Sequence, residues 1–136
     1  MTELVAAPDV EAALVAHIRS ALAARDASAH VATTVPNPRP NRLIRVTRKG
    51  GPRRNIVTDS PLVVVEAWDV DTVAAFNLGS LVEAIVLASD GFFIGTNSVW
   101  VNDVESVGGL SFFPDPDTAF PRYQFTVQLF TNCEVL

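Results

Sequence analysis

The chain has 136 residues, 49% of them hydrophobic and 18% charged, a composition that folds around a core instead of staying disordered. That length supports one domain, expected to span 1–136, and is too short for two ordinary ones. A net charge of -5 excludes a general DNA-coating protein, no apolar run reaches the roughly 20 residues that span a bilayer, and one cysteine, Cys133, rules out an internal disulfide.

The opening MTELVAAPDVEAAL carries carboxylates where a secretory signal needs Lys or Arg, so export by that route is not expected. The spacing predicts a first helix over 9–25. Asp9 is its N-cap, Glu11 lies in the first turn where the helix dipole favours negative charge, and six alanines support it by propensity. Val10, Leu14, His17, Ile18, Ala21 and Leu22 form its apolar stripe. A short strand over 31–35 follows, ended by prolines at 36, 38 and 40, which forbid helix and interrupt sheet bonding. Residues 43–48 alternate in the strand manner, and Lys49-Gly50-Gly51-Pro52 signals a turn, with 53–58 expected to pair back as a basic β-hairpin. The β-branched run 62–68 is apolar at nearly every position and reads as a central strand covered on both faces.

Asp69 and Asp71 start a second helix reaching about Ala88, with Val73, Phe76, Leu81, Ile85 and Ala88 expected on its buried face. Gly79 in its middle costs about 1 kcal/mol against alanine, a cost that close packing on a sheet offsets. A strand over 98–107 is broken by Gly108-Gly109, a Pro/Asp loop occupies 114–121, and Tyr123 to Leu129 alternate as an amphipathic strand. The order implies an α+β (mixed α/β) fold: two helices on a largely antiparallel or mixed sheet of about five to six strands, with a protruding basic hairpin.

Residue sets for catalysis are sparse. His17 reads as a core imidazole on the helix stripe, and neither it nor His30 has a partner at metal-ligand spacing. Cys133 has no activating motif beside it and reads as a structural thiol. Asp69/Asp71, Asp103/Glu105 and Asp115/Asp117 are explained as caps and solvated turns, and Gly50-Gly51 matches no phosphate loop. No catalytic residue, metal or cofactor is expected.

Charge is distributed unevenly. Seven of the ten cations lie between Arg39 and Arg54, and no acid occurs from Ala27 to Thr58. Like charges along a hairpin repel, so such a segment calls for carboxylates of a neighbouring subunit or for phosphates. Arg45, Arg48, Lys49, Arg53 and Arg54 are therefore the candidate inter-subunit or ring-stacking contact, with DNA contact in a lumen as the second reading. A head-to-tail ring would let the acids elsewhere in the chain serve as partners.

The succession Thr34-Val35-Pro36-Asn37-Pro38-Arg39-Pro40, Arg48-Lys49-Gly50-Gly51-Pro52-Arg53-Arg54, Val57-Thr58-Asp59-Ser60-Pro61-Leu62 and Pro114-Asp115-Pro116 through Pro121-Arg122-Tyr123 resembles the tail terminator proteins of long-tailed (siphovirus) actinobacteriophages. Those are similar in size and architecture to the tail terminator of phage lambda, and the similarity runs over nearly the whole chain. It implies a structural, non-enzymatic virion protein that forms a homohexameric ring at the head-proximal end of the tail, assembled in the host cytoplasm. The ring caps the tail-tube polymer, offers a surface to the head-tail connector, and lets DNA pass through its lumen without specific binding. The partners implied are other copies of the chain, the major tail tube protein and the connector, and no membrane. Other neck, connector or tube ring proteins share such folds.

Overall fold

Asp9 caps the first helix: its carboxylate accepts the Ala12 backbone N–H at 3.1 Å, satisfying a donor the helix itself leaves open. The computed structural model describes residues 3–117 and 120–136. After a two-residue strand β1 (Val5–Ala6), helix α1 spans Val10–Ala24 and ends on Arg25, whose N–H returns to the Leu22 and Ala23 carbonyls. Helix α2 spans Thr72–Leu87, and Asp71 caps it by accepting the Ala74 N–H at 2.8 Å.

Seven strands form the main sheet. They are β2 (His30–Ala32), β3 (Leu43–Arg48), β4 (Thr58–Asp59), β5 (Leu62–Trp68), β6 (Phe92–Ile94), β7 (Val99–Phe112) and β8 (Arg122–Asn132). Their order is β2-β3-β5-β8-β7-β6, with β4 added to the end of β8. Only β2–β3 is parallel, because the proline-rich segment carries the chain back before β3 begins. β5 is central, as its β-branched run implies. A ribbon of β1 with β9 (Glu134–Val135) lies apart. The α+β fold of two helices on a mixed sheet is thus the one expected from the sequence.

Both helices cover the same face of the sheet. α2 lies on β5, β7 and β8, while α1 touches β2 and β3 at one edge and β6 at the other. The sheet therefore curls around the helices, helped by register shifts in β7 between Val101 and Ser111 that bend the strand. Between the layers Leu14, Ile18, Leu22, Ile44, Val63, Val65, Leu78, Val82, Phe125, Val127 and Leu129 form one cluster, each at most 1% exposed. Burying one such side chain contributes roughly 1.5–3 kcal/mol.

Four expectations change. Residues 53–58 do not pair back on β3. The return strand is β5, six residues in register with β3, and residues 49–61 form its tip, whose strand pairing is limited to an Arg53–Asp59 bridge and to β4 on β8. β7 runs through Gly108-Gly109 to Phe112, since a long partner in β8 bridges the glycines. His17 is half-buried beside Ala16, Ser20, Gly95 and Thr96, at the rim of the helix instead of in the core.

The largest correction concerns α2. Its buried residues are Ala75, Leu78, Gly79, Val82 and Val86, whereas Val73 and Phe76 are 69% and 46% exposed. Glu83 is the one charge on this helix, so polarity could not phase it. Close approach does. A methyl on Gly79 would stand 3.0 Å from Leu110 Cδ1 and 3.7 Å from Ala67 Cβ, which is why the small residues face the sheet.

Candidate assembly interface

Along β5 side chains alternate, so Glu66 and Trp68 point away from the helices, to the face where β3 presents Arg45. Arg45 and Glu66 are direct cross-strand partners. Their forks meet in two bonds, Arg45 Nε to Oε1 at 2.7 Å and Nη2 to Oε2 at 2.9 Å. Arg122 donates a third to Oε2 at 3.0 Å. The bond to Glu66 raises the Arg45 pKa, against the opposing effect of its partial burial.

The same logic repeats at both ends of β3. Arg42 donates to Asp69 at 2.7 Å, and Arg48 holds Asp59 through two bonds of 2.7 and 2.9 Å. Asp59 and Glu66 are 1% and 6% exposed, so each arginine neutralises a carboxylate that the fold takes out of water. Arg39 stacks instead, 4.4 Å from the Phe120 ring centroid and 5.9 Å from that of Trp68.

The basic segment therefore divides. Arg39, Arg42, Arg45 and Arg48 are committed to partners within their own chain, and the self-repulsion expected of the cluster is cancelled by acids of β4, β5 and its C-terminal end. Among the described residues Lys49, Arg53 and Arg54 form no ion pair, and all three are exposed. Arg53 donates to the carbonyls of Val5 and Ile56, and Arg54 lies 5.7 Å from the Phe130 ring centroid. Beside them Ile56 and Val57 are 68% and 62% exposed. The tip is thus cationic and apolar together. Sequence reasoning found its charges and missed its two aliphatic side chains, which polar neighbours disguise as a turn.

Gly51 fixes the shape of this tip. Its φ is +95°, and a methyl there would stand 2.3 Å from the Ser60 carbonyl oxygen, so only glycine lets the two arms approach. Lys49 N–H to the Leu62 carbonyl at 2.7 Å and Leu62 N–H to the Gly50 carbonyl at 3.1 Å close its base.

A second exposed surface lies at the other end of β5. There Val70, Asp71, Thr72, Phe112, Pro114, Asp115, Phe120 and Pro121 line a groove of about 370 Å³. Of the acids read from sequence as caps and turns, Asp71 caps α2 and Asp115 accepts the Trp68 indole N–H at 3.0 Å and the Asp117 N–H at 3.0 Å, whereas Asp69 is the buried partner of Arg42 and Asp103 and Glu105 lie within β7. On β7 Asp103 accepts the Val104 N–H, and Glu105 is exposed. Among the described residues no three His, Cys, Asp or Glu groups converge as metal ligands would, and no helix is long and apolar enough to cross a membrane. No protein-family model matches this sequence, and no curated protein matches it significantly.

Proposed function

We propose that this protein is a structural component of a phage tail, capping the head-proximal end of the tail tube as a ring of identical subunits. The observation that supports this reading is the separation of its surface: an acidic body displays the exposed Lys49, Arg53 and Arg54, which form no ion pair among the described residues, at one end of the sheet and apolar side chains at both ends. Surfaces that differ in this way suit heterologous contact, which closes into rings. Capping would end tube growth, expose a face to the head-tail connector, and leave a lumen through which DNA passes. The order and spacing of the proline, glycine and arginine segments that resemble tail terminators point the same way.

Native mass spectrometry of the chain, with and without the major tail tube protein, tests this. A sixfold ring, free or on tube ends, is the expected result. Charge reversal at Arg53 and Arg54 should abolish it while the monomer stays folded, because both side chains are exposed and surface changes alter stability by about 0.5 kcal/mol. A double variant that still caps tubes would overturn the assignment. Tight DNA binding by a monomer, falling steeply with salt, would favour the nucleic-acid reading instead.

A further inference from the structure

From Asn55 to Pro121 the chain holds no lysine, arginine or histidine. Helix α2 and strands β6 and β7 all fall in that span, so they bring carboxylates and no cation to their flank of the sheet. Strand β6 ends the sheet there, and among the described residues no strand pairs with its outer edge. The opposite edge is closed by side chains: Arg19 donates to the Val31 carbonyl at 2.9 Å, and Glu11 accepts the Arg48 N–H at 2.7 Å. An open edge that carries apolar side chains is where another chain pairs or packs.

Alternation sends Ile94, Val99 and Val101 into the core, so Phe93 and Trp100 face away from the helices. Their rings meet edge to face with centroids 4.8 Å apart. Phe93 is 67% exposed and its neighbour Phe92 59%, and exposed aromatic groups of this kind mark a protein contact. Asp103 and Glu105 flank Val104, which packs against the core, so they share the outward face of the two rings. Asp90 stands beside them, since the next residue, Gly91, donates its N–H to the Val101 carbonyl at 2.8 Å. All three carboxylates are exposed, and none forms an ion pair among the described residues. Asp103 accepts the Val104 N–H, which occupies one of about four lone-pair sites on a carboxylate. Arg54 lies over Phe130, the cross-strand neighbour of Asp103, without pairing to it.

We infer that this ledge receives the tip of a second copy of the chain, Ile56 and Val57 packing on Phe92, Phe93 and Trp100 while Lys49, Arg53 and Arg54 lie among Asp90, Asp103 and Glu105. The inference rests on the ring reading and assigns the two surfaces that join neighbouring subunits. Charge names the occupant: the tip gathers exposed cations without an ion pair, the ledge gathers exposed carboxylates without one, and each set adjoins exposed apolar side chains. Guanidinium groups also stack on aromatic faces, as Arg39 does on Phe120 and Arg54 on Phe130 in this fold. Register places both surfaces at one level of the sheet, because Thr58 pairs with Asn132, Thr131 with Val101, and Val101 with Phe92. Strands β8 and β7 stand between β4 and β6, a separation of about 14 Å at the usual strand spacing, so tip and ledge lie on opposite flanks. A surface on one flank that meets its complement on the other makes a head-to-tail contact, and each copy then engages two others.

Site-directed crosslinking combined with charge reversal tests it. In a Cys133→Ser background, Ile56→Cys and Asn102→Cys, the latter exposed between Trp100 and Asp103, are made as separate variants. They are mixed with the major tail tube protein present and treated with a short thiol crosslinker. The expected product contains one of each variant. Arg53→Glu with Arg54→Glu on the first should lower its yield about tenfold, and Asp90→Arg with Glu105→Arg on the second should do the same. Combining the two reversed variants should restore the yield. A yield unchanged by reversal, or not restored by the combination, would overturn the contact. Val73→Cys, 69% exposed on α2, is the control partner, and crosslinking to it as strong as to Asn102→Cys would overturn the contact too. Sixfold rings without the crosslink would overturn the contact and leave the ring reading standing. Crosslinked chains that never close would uphold the contact and overturn the ring. Neither rings nor crosslinks would overturn both.

Discussion

Glu66→Gln separates the arginines that hold this fold from those that face outward. Glu66 is 6% exposed and accepts three bonds from guanidinium groups at 2.7, 2.9 and 3.0 Å. A charge-assisted hydrogen bond contributes about 1.5–3 kcal/mol. The side chains of Arg45 and Arg122 are 32% and 14% exposed, so solvent screening places each bond at the low end of that range. Glutamine can place its one acceptor oxygen at the Oε2 position and keep two contacts, but these lose the carboxylate's charge, and the bond at Oε1 is replaced by an amide N–H facing a guanidinium. The expected loss is therefore about 3 kcal/mol, consistent with removing one partner of a buried pair. For a chain of this length that corresponds to roughly 10 °C in Tm. Urea denaturation followed by tryptophan fluorescence measures it, since Trp68 lies against Arg45 and Arg122 with ring centroids 5.5 Å from each guanidinium carbon. A loss below about 1 kcal/mol would refute the view that Arg45 is committed to its own chain.

Two other perturbations bear on the same structure. Gly51→Ala should destabilise the protein by about 2 kcal/mol or more, because it sets a methyl against the Ser60 carbonyl at positive φ; thermal unfolding of the variant beside Gly50→Ala, whose added methyl meets nothing within 4 Å, isolates the close approach from backbone strain. Burial lowers the His17 pKa from its ordinary 6.5, so the unfolded chain binds a proton more readily than the folded one. Stability contributed by His17 is thus complete above about pH 6.5 and falls as pH drops below it, and His17→Gln should flatten that part of the stability profile measured by urea titration at successive pH values.

The local features were legible because each is decided within a few residues. Asp9 and Asp71 as caps, the apolar stripe of α1 and the alternation of β8 follow from helix and strand periods that neighbouring side chains alone express. The central place of β5 in the sheet was equally visible in its continuous β-branched run, but cover on both faces was not: the helices lie on one face, and on the other Leu62 and Val64 stay partly exposed. What failed was whatever lacked a local contrast. α2 is apolar nearly all round, so its phase came from Gly79 meeting Leu110 and Ala67, residues from two other strands.

The arginine cluster shows the same division. The sequence by itself determined that Arg39 to Arg54 would gather seven cations without an acid among them, and that the rest of the chain would hold the compensating charge. Only the tertiary structure decided which cations remain available. Strand register placed Glu66 opposite Arg45 and brought Asp59 and Asp69 to Arg48 and Arg42, leaving Lys49, Arg53 and Arg54 at the tip. Pairing across a sheet joins residues 11 to 27 positions apart, and that distance is set by how the chain folds back, which no short-range pattern encodes.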